Sequence, residues 1–273
     1  MPAVEFEHVS YQYKSGVKAL DDVSFTIERG ELVVLMGENG SGKTTILKHL
    51  NGLLKPTEGR VVIDGTDTRT ATVAQLAAKV GLVFQNAEEM FFESTVREEV
   101  AFALKNFGYS EDVVKRRVEW ALRFMELDAY AENSPFILSG GEKKRLALAI
   151  VLAWGPEIIA LDEPTIGQDS LQKEKMAEMV RLLNTQGKTV IMASHDVEFV
   201  ADLSPRIILL SRGKVMGDGD AEEVLTDMEK LAKCSILPPQ VVATLNRLQD
   251  LSITRRTLSV EAAAREVVEK IWR

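Results

Sequence analysis

The apolar positions along the chain follow two periods, one typical of strands and one typical of helices. Continuous apolar runs at residues 32–36, 158–161 and 189–193 favour strands buried on both faces of a sheet. Apolar residues at helical spacing over residues 43–54 and 171–186 follow two of those runs. Because strand and helix patterns alternate, the sequence predicts an α/β fold with a mainly parallel sheet.

Other segments add to that core. Strand patterns at residues 4–13 and 17–27 predict an antiparallel β part at the N-terminus. Residues 207–210 and 214–216 flank Arg212-Gly213, which is typical of an antiparallel hairpin. A further buried strand is predicted within residues 79–85.

The central part of the chain carries helical patterns without a strong strand signal. Helices are predicted at residues 98–106, 112–126 and 142–154, so we expect a helical subdomain at about residues 86–157, inserted into the core. The main domain is then expected over residues 1–219, followed by a helical extension over residues 220–273. The extension is expected to end in an amphipathic helix at residues 260–272.

Composition narrows the function classes. The chain has 273 residues, 45% of them hydrophobic, and a net charge of −8, so a nucleic-acid partner is not expected. The one cysteine, Cys234, rules out an internal disulfide. No signal-peptide pattern begins the chain, and the longest apolar stretch, residues 146–154, is too short to span a bilayer. We expect a soluble chain that reaches a membrane only through a partner.

Residues 37–44 form a complete G-x-x-x-x-G-K-[ST] motif between a buried strand and a helix. Glycines let the backbone N–H groups turn toward phosphates, and the helix N-terminus favours anions. Lys43 is expected to neutralise the β- and γ-phosphates, Thr44 to ligate Mg²⁺ and Thr45 to donate to the α-phosphate. The alternative is a glycine-rich turn with an incidental lysine. The predicted ATP-binding residues of this loop are Asn39, Gly40, Ser41, Gly42, Lys43, Thr44 and Thr45.

Two carboxylates end the buried strand at residues 158–161. The carboxyl edge of a parallel sheet is where α/β folds bind ligands. Asp162 is expected to hold Mg²⁺ through water, and Glu163 to orient or deprotonate the attacking water. Ordinary acidic capping of a strand end is the alternative.

Ser139, Gly140, Gly141 and Glu142 stand just before a helical stretch. Ser139 and Glu142 have the spacing of a capping box. Two glycines in a first turn cost about 1 kcal/mol each against alanine, so capping alone does not explain them. We therefore expect this exposed helix start both to be capped by Ser139 and to grip a phosphate.

Residues 138–142 resemble the signature motif of ABC ATPases, and the resemblance covers residues 4 to about 219. In that family two ATPase domains pack head to tail, and the signature of one completes the ATP site on the P-loop of the other. The resemblance implies that Ser139 and Gly141 contact the γ-phosphate of ATP held by a second ABC ATPase chain, a copy or a paralogue. ATP and Mg²⁺ are the implied cofactors.

Four further positions match that family. Gln85 resembles the glutamine that senses Mg²⁺ and the attacking water, His195 the switch histidine at the γ-phosphate, and Asp169 the aspartate that couples the two sites. The family more often has Leu than Gln before that aspartate. Tyr13 matches the aromatic that stacks on adenine, with Tyr11 as the rival; packing on an edge strand is the alternative for both.

The stretch at residues 84–102 is similar to the A subunits of energy-coupling factor (ECF) transporters, which take up vitamins and metal ions. Members usually have Pro where Ala87 stands. The resemblance implies that Met90, Phe91 and Phe92 lie at a groove for the transmembrane T subunit, in a complex that also holds a substrate-binding S subunit. The alternative places Phe91 and Phe92 in the core of the helical subdomain.

The expected function is therefore a transport ATPase bound peripherally at the cytoplasmic face of the cell membrane. The rivals are the ATPase of another ABC transporter class and a soluble ABC ATPase that remodels DNA or ribosomes. The latter normally brings a coiled-coil insertion, tandem cassettes or a basic face, and the sequence shows none of these. A P-loop kinase for a small molecule would have no use for residues 139–142.

Overall fold

A computed structural model describes residues 1–248 and 257–271 of the chain. Residues 249–256 and 272–273, including the predicted helix end at Trp272, lie outside this description. The strands are β1 (Val4–Gln12), β2 (Lys18–Ile27), β3 (Leu32–Gly37), β4 (Glu58–Ile63), β5 (Thr66–Asp67), β6 (Val80–Val83), β7 (Ile158–Asp162), β8 (Thr189–Ser194), β9 (Arg206–Ser211) and β10 (Lys214–Asp220). The helices are α1 (Lys43–Leu50), α2 (Val73–Ala77), α3 (Val96–Asn106), α4 (Glu111–Phe124), α5 (Gly140–Trp154), α6 (Ser170–Thr185), α7 (Val197–Leu203), α8 (Ala221–Thr226), α9 (Met228–Lys233), α10 (Gln240–Arg247) and α11 (Val260–Ile271).

The larger sheet has the strand order β10-β9-β3-β8-β7-β6. Its strands β9, β3, β8, β7 and β6 run parallel, and only β10 pairs antiparallel, with β9. The second sheet, in the order β2-β1-β4-β5, is antiparallel. The predicted α/β class, with its mainly parallel sheet and N-terminal antiparallel part, is confirmed.

Register places four strand ends side by side. Met36 of β3 pairs with Ser194 of β8, and Asp162 of β7 pairs with Ala193 of β8. Val83 of β6 pairs with Leu161 of β7. The loops that follow β3, β8, β7 and β6 therefore leave the sheet along one edge, where α/β folds bind ligands.

Alternate residues of β3 face two different cores. Val33 and Leu35 belong to the cluster shared with the antiparallel sheet and α1, whereas Val34 and Met36 belong to the cluster shared with α3, α4 and α5. Burial on both faces explains the uninterrupted apolar run that predicted this strand. The helical insertion therefore packs against the same sheet that carries the P-loop.

Several boundaries differ from the sequence predictions. Helix α5 begins at Gly140 rather than at residue 142, because Ser139 and Glu142 form a capping box. Helices α2 and α7 and strand β5 were not predicted, since helices of five and seven residues and a strand of two residues show too little periodicity.

The first part of the predicted helical extension packs against the main domain. Residues of α8 and α9 and the following turn, including Leu225, Leu231 and Ile236, belong to the large hydrophobic core. A smaller cluster joins Leu245 of α10 to Ala263 of α11. Over residues 1–248 and 257–271, no helix is both long and apolar enough to cross a membrane.

Candidate active site

The P-loop joins β3 to α1 and its backbone requires glycine at two positions. Gly40 has φ 83° and Gly42 has φ 109°, in the left-handed region that side chains disfavour. A Cβ atom at Gly42 would lie 2.8 Å from both the Ala19 carbonyl oxygen and Leu20 Cδ2. Asn39 and Gly40 are exposed, whereas Ser41 is buried. The loop is thus held closely against β2 on one side while its tip faces outward.

Lys43 points back over the loop. Its Nζ atom donates to the carbonyl oxygens of Gly37 at 2.7 Å and Glu38 at 3.1 Å. The same atom lies 3.9 Å from Oε1 of Glu163. Burial lowers the pKa of the Lys43 ammonium, and the nearby carboxylates of Glu163 and Asp162 oppose that shift. A buried cation in this position fits the charge of a nucleotide's phosphates.

Thr44 and Asp162 meet at the adjoining strand end. The Thr44 hydroxyl donates to Oδ2 of Asp162 at 2.8 Å. Asp162 is only 4% exposed, and burial raises the pKa of its carboxyl group. Within the described ranges, its other oxygen, Oδ1, has no hydrogen-bond partner. A hydroxyl and a carboxylate with one unpaired buried oxygen are donors that suit Mg²⁺.

Glu163 and His195 are in contact. His195 Nδ1 lies 2.9 Å from Oε2 of Glu163, which is 5% exposed. The Glu163 backbone has φ 48°, a left-handed conformation, and its N–H donates to the Ala193 carbonyl at 2.9 Å. This conformation aims the carboxylate along the sheet edge, between Lys43 and the half-exposed ring of His195.

Gln85 and Tyr13 lie at the periphery of this group. Gln85 is exposed just beyond the end of β6. The Tyr13 hydroxyl lies 3.0 Å from Oγ1 of Thr45, which connects it to the first turn of α1. Tyr11, the rival for adenine, packs edge-on against His49, with ring centroids 5.0 Å apart. Of the two tyrosines, Tyr13 is the one bonded to the P-loop helix.

The predicted signature residues begin α5. The Ser139 Oγ atom accepts from the Glu142 N–H at 3.4 Å, and Glu142 Oε2 accepts from the Ser139 N–H at 2.7 Å. A hydrogen bond from Tyr130, followed by those from Ser139, lowers the pKa of Glu142 to about 2. No atom lies within 4 Å of a Cβ built on Gly140, so this glycine faces open space. In the described part of the chain, no hydrogen bond or ion pair joins Ser139–Glu142 to the P-loop.

Asp169 caps α6 next to the signature. Its Oδ1 atom accepts from the Gln172 N–H at 2.8 Å. A Cβ on Gly141 would lie 3.1 Å from Nε2 of Gln172, which shows how closely the two helix starts approach. Lys144 of α5 donates to the carbonyls of Pro164, at 3.3 Å, and Ile166. The segment after Glu163 is therefore tied to the signature helix.

Met90, Phe91 and Phe92 differ in exposure. Phe91 is 7% exposed and packs in the large core, with Met90 partly buried against it. Phe92 is 58% exposed, and its ring lies edge-on to Phe102 at 4.4 Å between centroids. Phe91 is therefore a core residue, whereas Phe92 is the most exposed of the three.

Sequence reasoning missed two side chains that connect these loops. Lys173 of α6 donates to Oδ2 of Asp196 at 2.6 Å, which links the helix capped by Asp169 to the residue after His195. Lys144 was also overlooked. A lysine on a helix is usually a solvated residue, so neither carried a signal in the sequence alone.

The fold and the site define the class of protein. The carboxyl edge of the parallel sheet brings together a P-loop, two carboxylates at a strand end and a histidine that contacts one of them. This arrangement is the site of a P-loop nucleoside triphosphatase. A family model described as ABC transporter matches residues 20–166. The chain belongs to the ABC transporter family and is an ABC-type ATPase.

Curated relatives carry names from the same family. Energy-coupling factor transporter ATP-binding protein EcfA of Methanothermobacter thermautotrophicus is 40% identical over 248 residues, 90% of this chain and 80% of that protein. EcfA2 of Clostridium tetani is 35% identical over 98% of this chain and 96% of its own length. Some relatives are longer: the chain spans 43% of a 40% identical putative ABC transporter ATP-binding protein of Caldanaerobacter subterraneus. It likewise spans 39% of one from Methanosarcina acetivorans.

Solved structures share the fold. CbiO1 from Clostridium perfringens, part of the ABC transporter complex CbiONQ, superposes with a TM-score of 0.75 at 30% identity, covering 92% of this chain and 98% of that one. A dimeric post-hydrolysis state of the ATP-binding cassette MJ0796, bound to ADP and Pi, has a TM-score of 0.73 at 35% identity over 80% of this chain and 98% of that chain.

Proposed function

We propose that this chain is the ATP-binding subunit of an ECF-type ABC importer. It hydrolyses ATP at a head-to-tail dimer interface and drives uptake of a vitamin or metal ion through membrane partners, a T subunit and an S subunit. It works peripherally, at the cytoplasmic face of the membrane. Relatives named EcfA and EcfA2, together with the likeness to CbiO1, support the ECF assignment.

The proposal rests on the separation of the signature residues from the P-loop of the same chain. Lys43, Thr44, Asp162, Glu163 and His195 share one sheet edge. The first turn of α5, at Gly140, faces open space instead. A helix start with an exposed glycine and no link to its own P-loop is suited to bind the phosphates of ATP held by another chain.

Each side chain at the sheet edge has a role in hydrolysis. Lys43 binds the phosphates, Thr44 and Asp162 would hold Mg²⁺, and Gln85 would contact the metal and the attacking water from the end of β6. Bound Mg²⁺ would neutralise charge on the phosphates. Glu163 orients the attacking water and accepts its proton, while His195 fixes the position of the Glu163 carboxylate and reaches toward the γ-phosphate.

The loops around Asp169 and Phe92 connect this chemistry to partners. Asp169 caps α6 beside the signature, so it is placed to report on the second chain. Phe92 offers an exposed aromatic ring to a membrane subunit. Its exposure suits an aromatic contact at the groove that receives the membrane subunit.

Purification of the tagged chain from its own cells tests the function. We expect an integral membrane subunit and a second ATPase chain to co-purify from detergent extracts, and ATP hydrolysis to depend on Lys43. Recovery of the chain free of membrane proteins and bound to nucleic acid or ribosomes would contradict the transport assignment in favour of a soluble ABC ATPase.

A further inference from the structure

Glu99 is a buried carboxylate on α3 that no step of hydrolysis uses. It is 1% exposed. Its Oε2 atom accepts from the backbone N–H of Phe92 at 2.9 Å and from that of Glu93 at 2.8 Å. One oxygen thus holds two consecutive amides of residues 90–93, which we name the docking segment.

The docking segment needs such an acceptor. Phe91 has φ −98° and ψ 132°, an extended conformation in which successive side chains point to opposite sides. Phe91 accordingly faces the core and Phe92 faces outward. Two neighbouring amides that are not part of a helix or sheet ladder remain to be satisfied, and leaving them unpaired is costly.

Helix α3 also holds the ring of Phe92. Phe102 stands three residues after Glu99, on the same side of the helix, and its ring meets that of Phe92 edge-on at 4.4 Å between centroids. The helix therefore fixes the docking segment at two points, the backbone through Glu99 and the exposed side chain through Phe102.

Burying a carboxylate at this position costs free energy, so core packing alone does not explain why a glutamate stands here. Glu99 lies among the apolar residues Val96, Val100 and Leu104, where leucine would contribute to the core. Burial raises the pKa of Glu99, and the amides of Glu93 and Phe92 counteract the shift. The two amide bonds are the contacts that offset the burial.

We propose that Glu99 is a positioning residue that fixes the docking segment, so that Phe92 is presented to the membrane subunit. We name the two hydrogen bonds that Glu99 accepts from the Phe92 and Glu93 amides the clamp. The docking role rests on the proposed function, whereas the clamp does not. Removing the acceptor oxygen weakens partner binding and leaves ATP binding at the P-loop intact.

Hydrogen exchange on the purified chain tests the clamp. Glu99→Leu should speed exchange of the Phe92 and Glu93 amides by about tenfold or more, because both lose their acceptor. Glu99→Gln keeps a carbonyl oxygen and should restore most of the protection. Glu98→Gln is the matched control, since its exposed carboxylate accepts from the Thr95 hydroxyl at the start of α3 and not from the docking segment in the described structure. Wild-type exchange rates in Glu99→Leu would overturn the clamp.

Co-purification from detergent-solubilised membranes tests the docking role. Relative to wild type, Glu99→Leu should recover about a tenth of the membrane subunit at unchanged ATP affinity, and Glu99→Gln should recover most of it. Equal recovery with Glu99→Leu, despite faster amide exchange, would overturn the docking role.

A wild-type chain that recovers no integral membrane protein would contradict the proposed function and the docking role together. The exchange measurement would still decide the clamp.

Discussion

His195 Nδ1 and Glu163 Oε2 lie 2.9 Å apart although 32 residues separate them in sequence. The pairing of β7 with β8 brings their strand ends together, and the Glu163 N–H bond to Ala193 fixes the turn. With Lys43 Nζ at 3.9 Å on the other side, the carboxylate is confined between an ammonium group and an imidazole. This arrangement fixes the carboxylate that we propose as the proton acceptor.

Replacing this acceptor should stop hydrolysis without stopping binding. We expect Glu163→Gln to lower the ATP turnover rate by about 100-fold or more, because the amide cannot take a proton. The ATP-bound dimer should then persist and be visible by size-exclusion chromatography. Glu174→Gln, an exposed glutamate on α6, is the control. Turnover at the parent rate would show that Glu163 is not the base.

The trans arrangement predicts complementation between two inactive variants. Lys43→Ala should not bind ATP, and Gly140→Asp places a negative charge where a partner's phosphate would sit, in space that is open within the chain. Each variant alone should be inactive. Their mixture should regain activity, because one site of the mixed dimer has an intact P-loop and an intact signature.

The activity regained should approach half that of wild type in the mixed dimers. A signature acting on its own P-loop would leave the mixture inactive. Lys115→Ala alone, which removes an exposed lysine in place of Lys43, should keep wild-type activity and is the control for losing a lysine.

Asp162→Asn tests the metal site. The asparagine oxygen can still accept from the Thr44 hydroxyl, but the negative charge is removed. We expect the variant to need a Mg²⁺ concentration about tenfold or more above that of wild type for the same gain in ATP hydrolysis. Titration of Mg²⁺ against activity, with exposed Asp128→Asn as the control, measures this. An unchanged titration would place the metal elsewhere.

His49 makes stability depend on pH. His49 lies in the P-loop helix α1 and its ring is fully buried, with Nδ1 2.7 Å from the Thr45 carbonyl oxygen; burial lowers the pKa of His49 below its usual 6.5. As pH falls, the unfolded chain therefore binds a proton at His49 at a higher pH than the folded chain does. Below pH ~6.5, the free energy of unfolding should decrease with falling pH, and this group contributes at most about 1.4 kcal/mol per pH unit.

Urea unfolding at several pH values checks this. His49→Gln should show a flatter profile than wild type over that window, even if it is less stable throughout. His8→Gln, an exposed histidine, should keep the wild-type slope. Parallel profiles for wild type and His49→Gln would show that His49 does not titrate on unfolding.

The sequence predicted the parts of the site that are contiguous. The P-loop and the pair Asp162-Glu163 are local motifs, and apolar runs identify the strands before them. Their position at the sheet edge could therefore be predicted. The contact of His195 with Glu163 did not follow, because it depends on strand order and on a left-handed backbone at Glu163.

Glu99 interrupts the apolar pattern of α3, and this interruption is visible in the sequence. It occupies a position on the apolar stripe of α3, between Val96 and Val100, where a glutamate is unexpected. Its partners, the amides of residues 92 and 93, carry no sequence signal at all. Long-range partners of this kind become visible only when the fold is known.

The left-handed backbone at Glu163 has a consequence for how such sites decay. A non-glycine residue in that conformation costs about 1 kcal/mol, and asparagine or glycine would adopt it more easily. Replacing Glu163 by asparagine or glycine would therefore relieve strain while it removes the proton acceptor that we propose. At this position, thermal stability and the proposed hydrolysis make opposite demands on the side chain.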